Sequence, residues 1–365
     1  AVTLSMPLLR VEERQRYWQQ GFKDYPVTDL AAISQQFHLP GAYIRQAAQM
    51  SIAQAGLEQS DTIGLGHVQQ ACRALNRQQL DTLADRLEAD GSWARLVVSE
   101  AVASKLYELE RRCRYREQVL AHLGPAFGAT MNRGVRVLFT GASGTGKTLA
   151  AKILAAELGM DLYRVDLAAV INKYIGETEK NLHQILSRAE ALDVIVLLDE
   201  GDSLLGSRTE VKSSNDRYAN LETNYLLQKL EHYQGIILVT SNAPGNIDRA
   251  FQRRMDVVVN FVAPQVEERW QIWQLHLPAS HAVTAVCLEE IAVRCALTGG
   301  QIRNAALHAT LLALDDGEGL VQDWHVEQAV QSEYRKASMT SPLRGNGRSQ
   351  PPAQENVAAF IATLS

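Results

Sequence analysis

Long apolar runs are missing from this 365-residue chain. The longest uninterrupted aliphatic stretch is Val194 to Leu198, far short of the roughly 18 residues a helix needs to cross a bilayer. No charged segment followed by an apolar one precedes the first domain, so the chain reads as soluble, with no export signal and no membrane insertion. Cysteine is scarce: Cys72, Cys113, Cys287 and Cys295 form no CxxC pair, which excludes a disulfide framework and points to reduced thiols in the cytoplasm. Glycine and proline together make up only about 9% of the chain, which excludes collagen-like and disordered classes. An excess of positive charge is also absent. The net charge of −5 gives a field that repels nucleic acid, leaving only a local basic channel as a route to such a partner. No HExxH occurs, so no fused zinc protease is expected.

What is present begins with a repeat. Val11-Glu-Glu-Arg-Gln-Arg-Tyr-Trp18 aligns with Val266-Glu-Glu-Arg-Trp-Gln-Ile-Trp273, the stretch Leu39 to Ala48 aligns with Leu297 to Ala306, and His67-Val68 aligns with His325-Val326. The same module therefore occurs twice. Apolar residues at Ile302, Ala305, Ala306, Ala309 and Leu312 follow the spacing of one buried helical stripe, so each copy is predicted to be a small helical bundle. Between the copies the pattern changes to short β-branched runs, Val135–Thr140, Leu162–Val165, Val194–Leu198, Ile236–Thr240 and Val257–Phe261, alternating with helical segments. Such alternation predicts a parallel sheet covered by helices on both faces. Trp93 to about Gly124 reads as helix leading into it. The segment from Ser341 to Glu355 is rich in Pro, Gly, Ser and Gln and reads as a flexible tail, ahead of a short apolar stretch at Val357–Leu364.

The chemistry concentrates at strand ends. Gly141-Ala-Ser-Gly-Thr-Gly-Lys147-Thr148 follows the first strand and opens a helix over Lys147–Leu158. Its glycines let backbone N–H groups turn inward around phosphate oxygens at the positive end of the helix. Lys147 would reach the β- and γ-phosphates, and Thr148 would offer its hydroxyl to Mg²⁺. Asp199 and Glu200 follow the aliphatic run Val194–Leu198, where open α/β sheets bind ligands. Asp199 would hold the Mg²⁺ shell, and Glu200 would act as general base on water. Asn242 ends the next strand and could hydrogen-bond both water and γ-phosphate without adding charge. Arg253 and Arg254 stand side by side before the last strand. Their planar forks suit a transferring phosphoryl group, but from the far end of the sheet they would have to act on a neighbouring copy, which implies a head-to-tail ring.

At these positions the chain resembles the AAA+ ATPases, and within them the classical AAA group of katanin, spastin and related protein remodellers. Gly141–Thr148 is similar to the Walker A motif, Ile195–Glu200 to Walker B, Asn242 to sensor 1, and Asp248–Asp256 to the arginine-finger segment; the resemblance covers about residues 92 to 336. It implies an α/β P-loop core with a five-stranded parallel sheet over residues 91–264, a helical lid over 265–338 and a tail over 339–365. Residues 1–90 resemble a second lid. No phosphate loop precedes that first copy, so the simplest reading starts Ala1 inside a longer tandem protein, after a degenerate AAA-like domain; a lone helical adaptor is the alternative. The resemblance further implies ATP and Mg²⁺ as cofactors, with Gly141, Ala142, Ser143, Gly144, Thr145, Gly146, Lys147, Thr148 and Leu149 around the nucleotide. Gly299 and Gly300 would approach the adenine. Arg303 falls near a sensor 2 position, which itself aligns closer to Gln301. Lys173, Tyr174 and Ile175 resemble a pore loop, where an aromatic ring grips extended polypeptide by contact area. The expected partners are further copies of the chain, as a hexameric ring, and a protein client. A nucleic-acid-associated AAA+ ATPase and a non-motor, ATP-controlled assembly switch stand as alternatives.

Overall fold

The computed structural model describes residues 9–124, 127, 132–167, 177–202, 226–243, 245, 247–317 and 319–343. They fall into two compact units divided between Ala263 and Pro264.

The first unit opens with helices α1 (Val11–Phe22), α2 (Leu30–Gln36), α3 (Gly41–Leu57) and α4 (Leu65–Leu80). They close over Trp18, Phe22, Ile33, Ile44, Ala47 and Ala48, all essentially without solvent exposure. The chain then forms strand β1 (Asp85–Leu87), helix α5 (Glu100–Tyr115) and helix α6 (Gln118–His122) before the remaining strands β2 (Val135–Gly141), β3 (Leu162–Asp166), β4 (Ile195–Asp199), β5 (Ile236–Ser241) and β6 (Val257–Phe261). Helix α7 (Lys147–Leu158) follows β2, α8 (Glu177–Leu192) follows β3, and the short α9 (Arg249–Gln252) precedes β6.

The sheet is six-stranded in the order β1-β3-β4-β5-β2-β6. This corrects the expected five parallel strands: β1 is a sixth, pairing antiparallel with the edge of β3 from Asp85↔Arg164 to Leu87↔Leu162. The other neighbours are parallel. The alternation of side chains along β2 decides its packing. Val137 and Phe139 face Leu106 and Leu109 of α5 and Ala151 and Leu154 of α7. Leu138 faces the opposite layer, built with Val196 and Leu198 of β4 and Leu182, Ile185 and Leu186 of α8. Burial on both faces explains the unbroken apolar runs of the central strands.

The second unit contains helices α10 (Val266–His276), α11 (Ala285–Arg294), α12 (Gly299–Asp315) and α13 (Asp323–Lys336). Taken by itself, it repeats the first four helices down to individual hydrogen bonds. Arg14 is buried and donates from Nε to Ser34 O (2.9 Å) and from Nη1 to Leu9 O (2.9 Å). Arg269 is buried too, and donates from Nε to Ala292 O (2.7 Å) and from Nη1 to Pro264 O (2.6 Å). His67 Nδ1 accepts from Gly64 N (3.0 Å) and its Nε2 meets Glu58 (3.0 Å); His325 does the same with Gln322 N (2.9 Å) and Asp316 (2.8 Å). Helices α3 and α12 both have 17 residues. The repeated VEER tetrapeptide is thus a staple: its arginine satisfies one carbonyl near the C-terminal end of the next helix and one just ahead of its own helix, and its second glutamate caps the helix, as Glu13 does for Arg10 N (2.7 Å) and Glu268 for Gln265 N (2.9 Å).

Polar contacts fasten the first helical module to the sheet within unit one. Asn76 Nδ2 and Arg86 donate to Asp161 at 2.8 and 3.0 Å, and the Tyr163 hydroxyl donates to Asp81 (3.1 Å). Arg14 forks onto Glu117 at 3.2 and 2.7 Å. Asp193, just ahead of β4, meets both Arg116 and His38 (2.8 Å to the latter). Burial alone would raise the Asp193 carboxyl, but Arg116 and His38 beside it hold it well below the usual carboxylate range. A carboxyl lowered on folding stabilises the fold above its unfolded value of about 4, and that stabilisation is lost as pH falls. Asp193 has a positive φ of 51°, which asparagine tolerates, so Asp193→Asn tests the charge. Urea unfolding is expected to show the variant less stable by about 3–5 kcal/mol near neutrality, with the gap closing toward acid. A constant gap down to pH 3 would contradict this account.

Candidate nucleotide-phosphate site

Parallel pairing aligns the carboxyl ends of β2, β5 and β4, and there the glycine turn, Lys147, Thr148, Asp199, Glu200 and Asn242 gather. Thr140 of β2 is opposite Ser241 of β5, and Gly141 is opposite Phe261 of β6. The turn out of β2 needs glycine at Gly141: φ is 141°, and an added Cβ would lie 2.1 Å from Phe261 O. Gly144 and Gly146 have φ of 79° and 103°, left-handed geometry that glycine adopts freely. Thr145 Oγ1 donates back to Ala142 O (2.8 Å) and holds the turn closed. Ala142, Ser143 and Gly144 remain exposed along its rim.

Lys147, the first residue of α7, is buried and folded into the turn. Its Nζ donates to Gly141 O (2.7 Å), Ala142 O (2.9 Å) and Asn242 Oδ1 (2.7 Å). Burial pulls the ammonium below its ordinary value, while Asp199 and Asp202 pull the other way. A cation so placed, beside the free N–H groups that open a helix, is built to receive an anion. Thr148 is half-buried beside it and Leu149 is exposed on the next position of the helix.

Asp199 is the last residue of β4 and accepts from Thr240 Oγ1 (2.5 Å). The next residue, Glu200, is exposed and has a positive φ of 56°. Its backbone N–H donates to Thr240 Oγ1 (3.2 Å), and Gly201 N donates to Thr240 O (3.0 Å). A non-glycine residue in this region is uncommon and costs energy, and such residues collect at working sites. The donors fit a phosphate chain with Mg²⁺: one ammonium, a glycine turn without Cβ obstruction, the Thr148 hydroxyl and the Asp199 carboxylate. Among the described residues no group of three or more His, Cys, Asp or Glu could hold a metal by itself.

Asp202 was not among the sequence candidates. It accepts from Ser241 Oγ (2.5 Å), Asn242 N (3.1 and 3.0 Å to its two oxygens) and Ala243 N (3.2 Å). The only signal in the sequence is a further acid three residues beyond Asp199.

The two arginines part company. Arg254 pairs with Glu231 of its own chain. Arg253 is exposed and makes no side-chain hydrogen bond or ion pair among the described residues. Asp256 anchors the segment, accepting from Arg136 N and Nε (2.9 Å each) and from Arg112 (2.8 Å). Since Val257 is opposite Val137 at the start of the β2–β6 ladder, Arg253 lies at the other end of the strands from Lys147, roughly 15 Å of strand away.

In the second unit, Gly299 and Gly300 form the first turn of α12, capped by Thr298 and Gln301, with Thr298 N donating to Gln301 Oε1 (2.8 Å). Arg303 is exposed on that helix, and its guanidinium donates to Asn304 Oδ1 (3.4 Å). Lys173, Tyr174 and Ile175 lie outside the described residues, as does the chain beyond 343. No helix among the described residues is long and apolar enough to cross a membrane.

Residues 137–262 match the family model described as ATPase family associated with various cellular activities (AAA). Among curated proteins the chain is similar to an uncharacterized AAA family ATPase, y4kL, of Sinorhizobium fredii, with 31% identity over 50% of this chain and 53% of that protein. It is also similar to the 26S proteasome subunit RPT4 of Saccharomyces cerevisiae, with 29% identity over 57% and 49% of the two chains. The matches span about half the length of these relatives. Among solved structures, the FIGL-1 AAA domain superposes with a TM-score of 0.55 at 21% identity, covering 79% of this chain and 93% of that one, which shows a shared fold.

Proposed function

The chain carries a domain of the AAA ATPase family, and from that premise we propose that it is an ATP-driven remodeller of protein clients, working as a ring with its active sites between neighbouring copies. The observation that carries this reading is the placement of Lys147 Nζ between the turn carbonyls of Gly141 and Ala142 and the amide of Asn242. A γ-phosphate entering the turn would exchange those carbonyl contacts for its own oxygens while Asn242 stays within reach. Lys147 then binds and orients the β- and γ-phosphates, and Glu200 takes the proton of the attacking water. Asn242 holds that water in line. Mg²⁺, held by Thr148 and Asp199, would supply charge neutralisation on the phosphate oxygens. The FIGL-1 AAA domain has also been solved in complex with ADP, which supports adenine nucleotide as the ligand here; Gly299, Gly300 and Arg303 are assigned to the nucleotide on the sequence pattern alone.

Arg253, unpaired among the described residues and remote from its own cradle, supports a finger supplied to the next copy, and hence the ring; six copies follow from the family resemblance. The four cysteines are free and buried, which supports a reducing, cytoplasmic setting. Client handling is assigned to Lys173, Tyr174 and Ile175 on the sequence pattern. An unstructured polypeptide is expected to stimulate phosphate release several-fold, and Tyr174→Ala to abolish the stimulation while keeping the basal rate. Stimulation by DNA or RNA, steeply lost with added salt, would overturn the protein-client reading. An oligomer that forms with ATP but ignores both polymers would favour an assembly switch.

A further inference from the structure

We infer that Asp202 is a positioning residue of the hydrolysis step, acting through Asn242 and without touching nucleotide. The inference rests on the reading of Asn242 as the residue that orients water and γ-phosphate.

The acids of Asp199-Glu200-Gly201-Asp202 are aimed differently by the bonds around them. Asp199 meets Thr240 at the strand end. Asp202 is half-buried, and its carboxylate collects the Ser241 hydroxyl and the successive N–H groups of Asn242 and Ala243. These are the residues at which β5 stops being a strand, where backbone donors lose their ladder partners and would otherwise be set by solvent. A carboxylate accepting consecutive N–H groups fixes the peptide planes on both sides of the Asn242 Cα. Ser241 adds to this: it has no solvent exposure, donates to Asp202 and accepts from Ala243 N (3.2 Å). With its backbone fixed, Asn242 needs only its side-chain torsions to set Oδ1 2.7 Å from Lys147 Nζ. Two ties, Thr240 to Asp199 and Asp202 to Ser241–Ala243, therefore lock the ends of β4 and β5 to each other, and the second aims the amide.

Displacing a reacting group by about 1 Å costs on the order of 100-fold in rate. Asp202→Ala and the isosteric Asp202→Asn are expected to lower kcat by about 10- to 100-fold while the Kd for ATP changes less than about threefold, a split that general unfolding would not give. In an Asn242→Ala background, Asp202→Ala should cost nothing further, because a residue acting through another shows no independent effect. Hydrogen exchange of the ligand-free chain gives a readout apart from turnover: the amides of Asn242 and Ala243 should exchange faster in both Asp202 variants, with the β5 interior unchanged. Additive losses in the double variant, or unchanged exchange at those two amides, would overturn the role of Asp202 and leave the nucleotide site standing. An Asn242→Ala variant with wild-type kcat would instead remove the role assigned to Asn242, and the inference with it.

Discussion

Glu200→Gln is expected to bind ATP as tightly as the wild type and to slow phosphate release by about 10²–10⁴-fold, the usual contribution of a positioned general base. The geometry separates the two effects. In the proposed mechanism binding falls to Lys147 and the glycine turn, neither of which Glu200 touches, whereas Glu200 is placed by its own backbone, with φ of 56° and its N–H held by Thr240 Oγ1 at 3.2 Å. Glutamine matches glutamate in size and makes a similar demand on that backbone, but its amide cannot take a proton from water. A chain that binds ATP without consuming it should also hold the ATP-bound assembly together, so size-exclusion chromatography in ATP and Mg²⁺ is expected to show an oligomer that persists. Wild-type turnover in this variant would remove Glu200 as the base.

The glycine turn proposed as the phosphate cradle was legible because its residues are consecutive and its chemistry is local: a turn that needs glycine at Gly141 and Gly146, then a lysine at the head of a helix. The five buried strands were legible for the same kind of reason, since apolar runs buried on both faces leave a mark in the sequence. Strand β1 left none. Asp85-Arg-Leu87 is short and polar, and it is a strand only because the edge of β3 offers unpaired backbone groups. The repeat was visible as matching letters, but the work of its arginine was not. A buried arginine is exceptional, and only folding brings the carbonyls of Ser34 and Ala292 to Arg14 and Arg269. Asp202 escaped because its partners arrive from a neighbouring strand some 40 positions away in the chain. The adjacent arginines read alike in sequence, yet an ion pair with Glu231 restrains Arg254 while Arg253 projects into solvent.

That difference sets the second large effect. An arginine supplied to a phosphoryl-transfer site contributes about 10³–10⁵-fold in rate, so Arg253→Ala is expected to lose hydrolysis nearly completely while still binding ATP. Arg254→Ala should lose less, because its guanidinium is partly committed to Glu231. Asp256, tied to Arg136 and Arg112, keeps the segment in place in both variants. If Arg253 serves the next copy, the defect belongs to an interface and can be repaired by a neighbour.

Mixing tests this directly. Lys147→Ala lacks a working cradle but offers an intact Arg253; Arg253→Ala offers the cradle without the finger. Each alone should release almost no phosphate. Combined in equal amounts in ATP and Mg²⁺, with co-assembly verified by a tag on one variant, they should regain a substantial fraction of wild-type turnover at junctions where the intact halves meet. Proven mixed assemblies that remain as inactive as their parents would contradict a triphosphate shared between neighbouring copies.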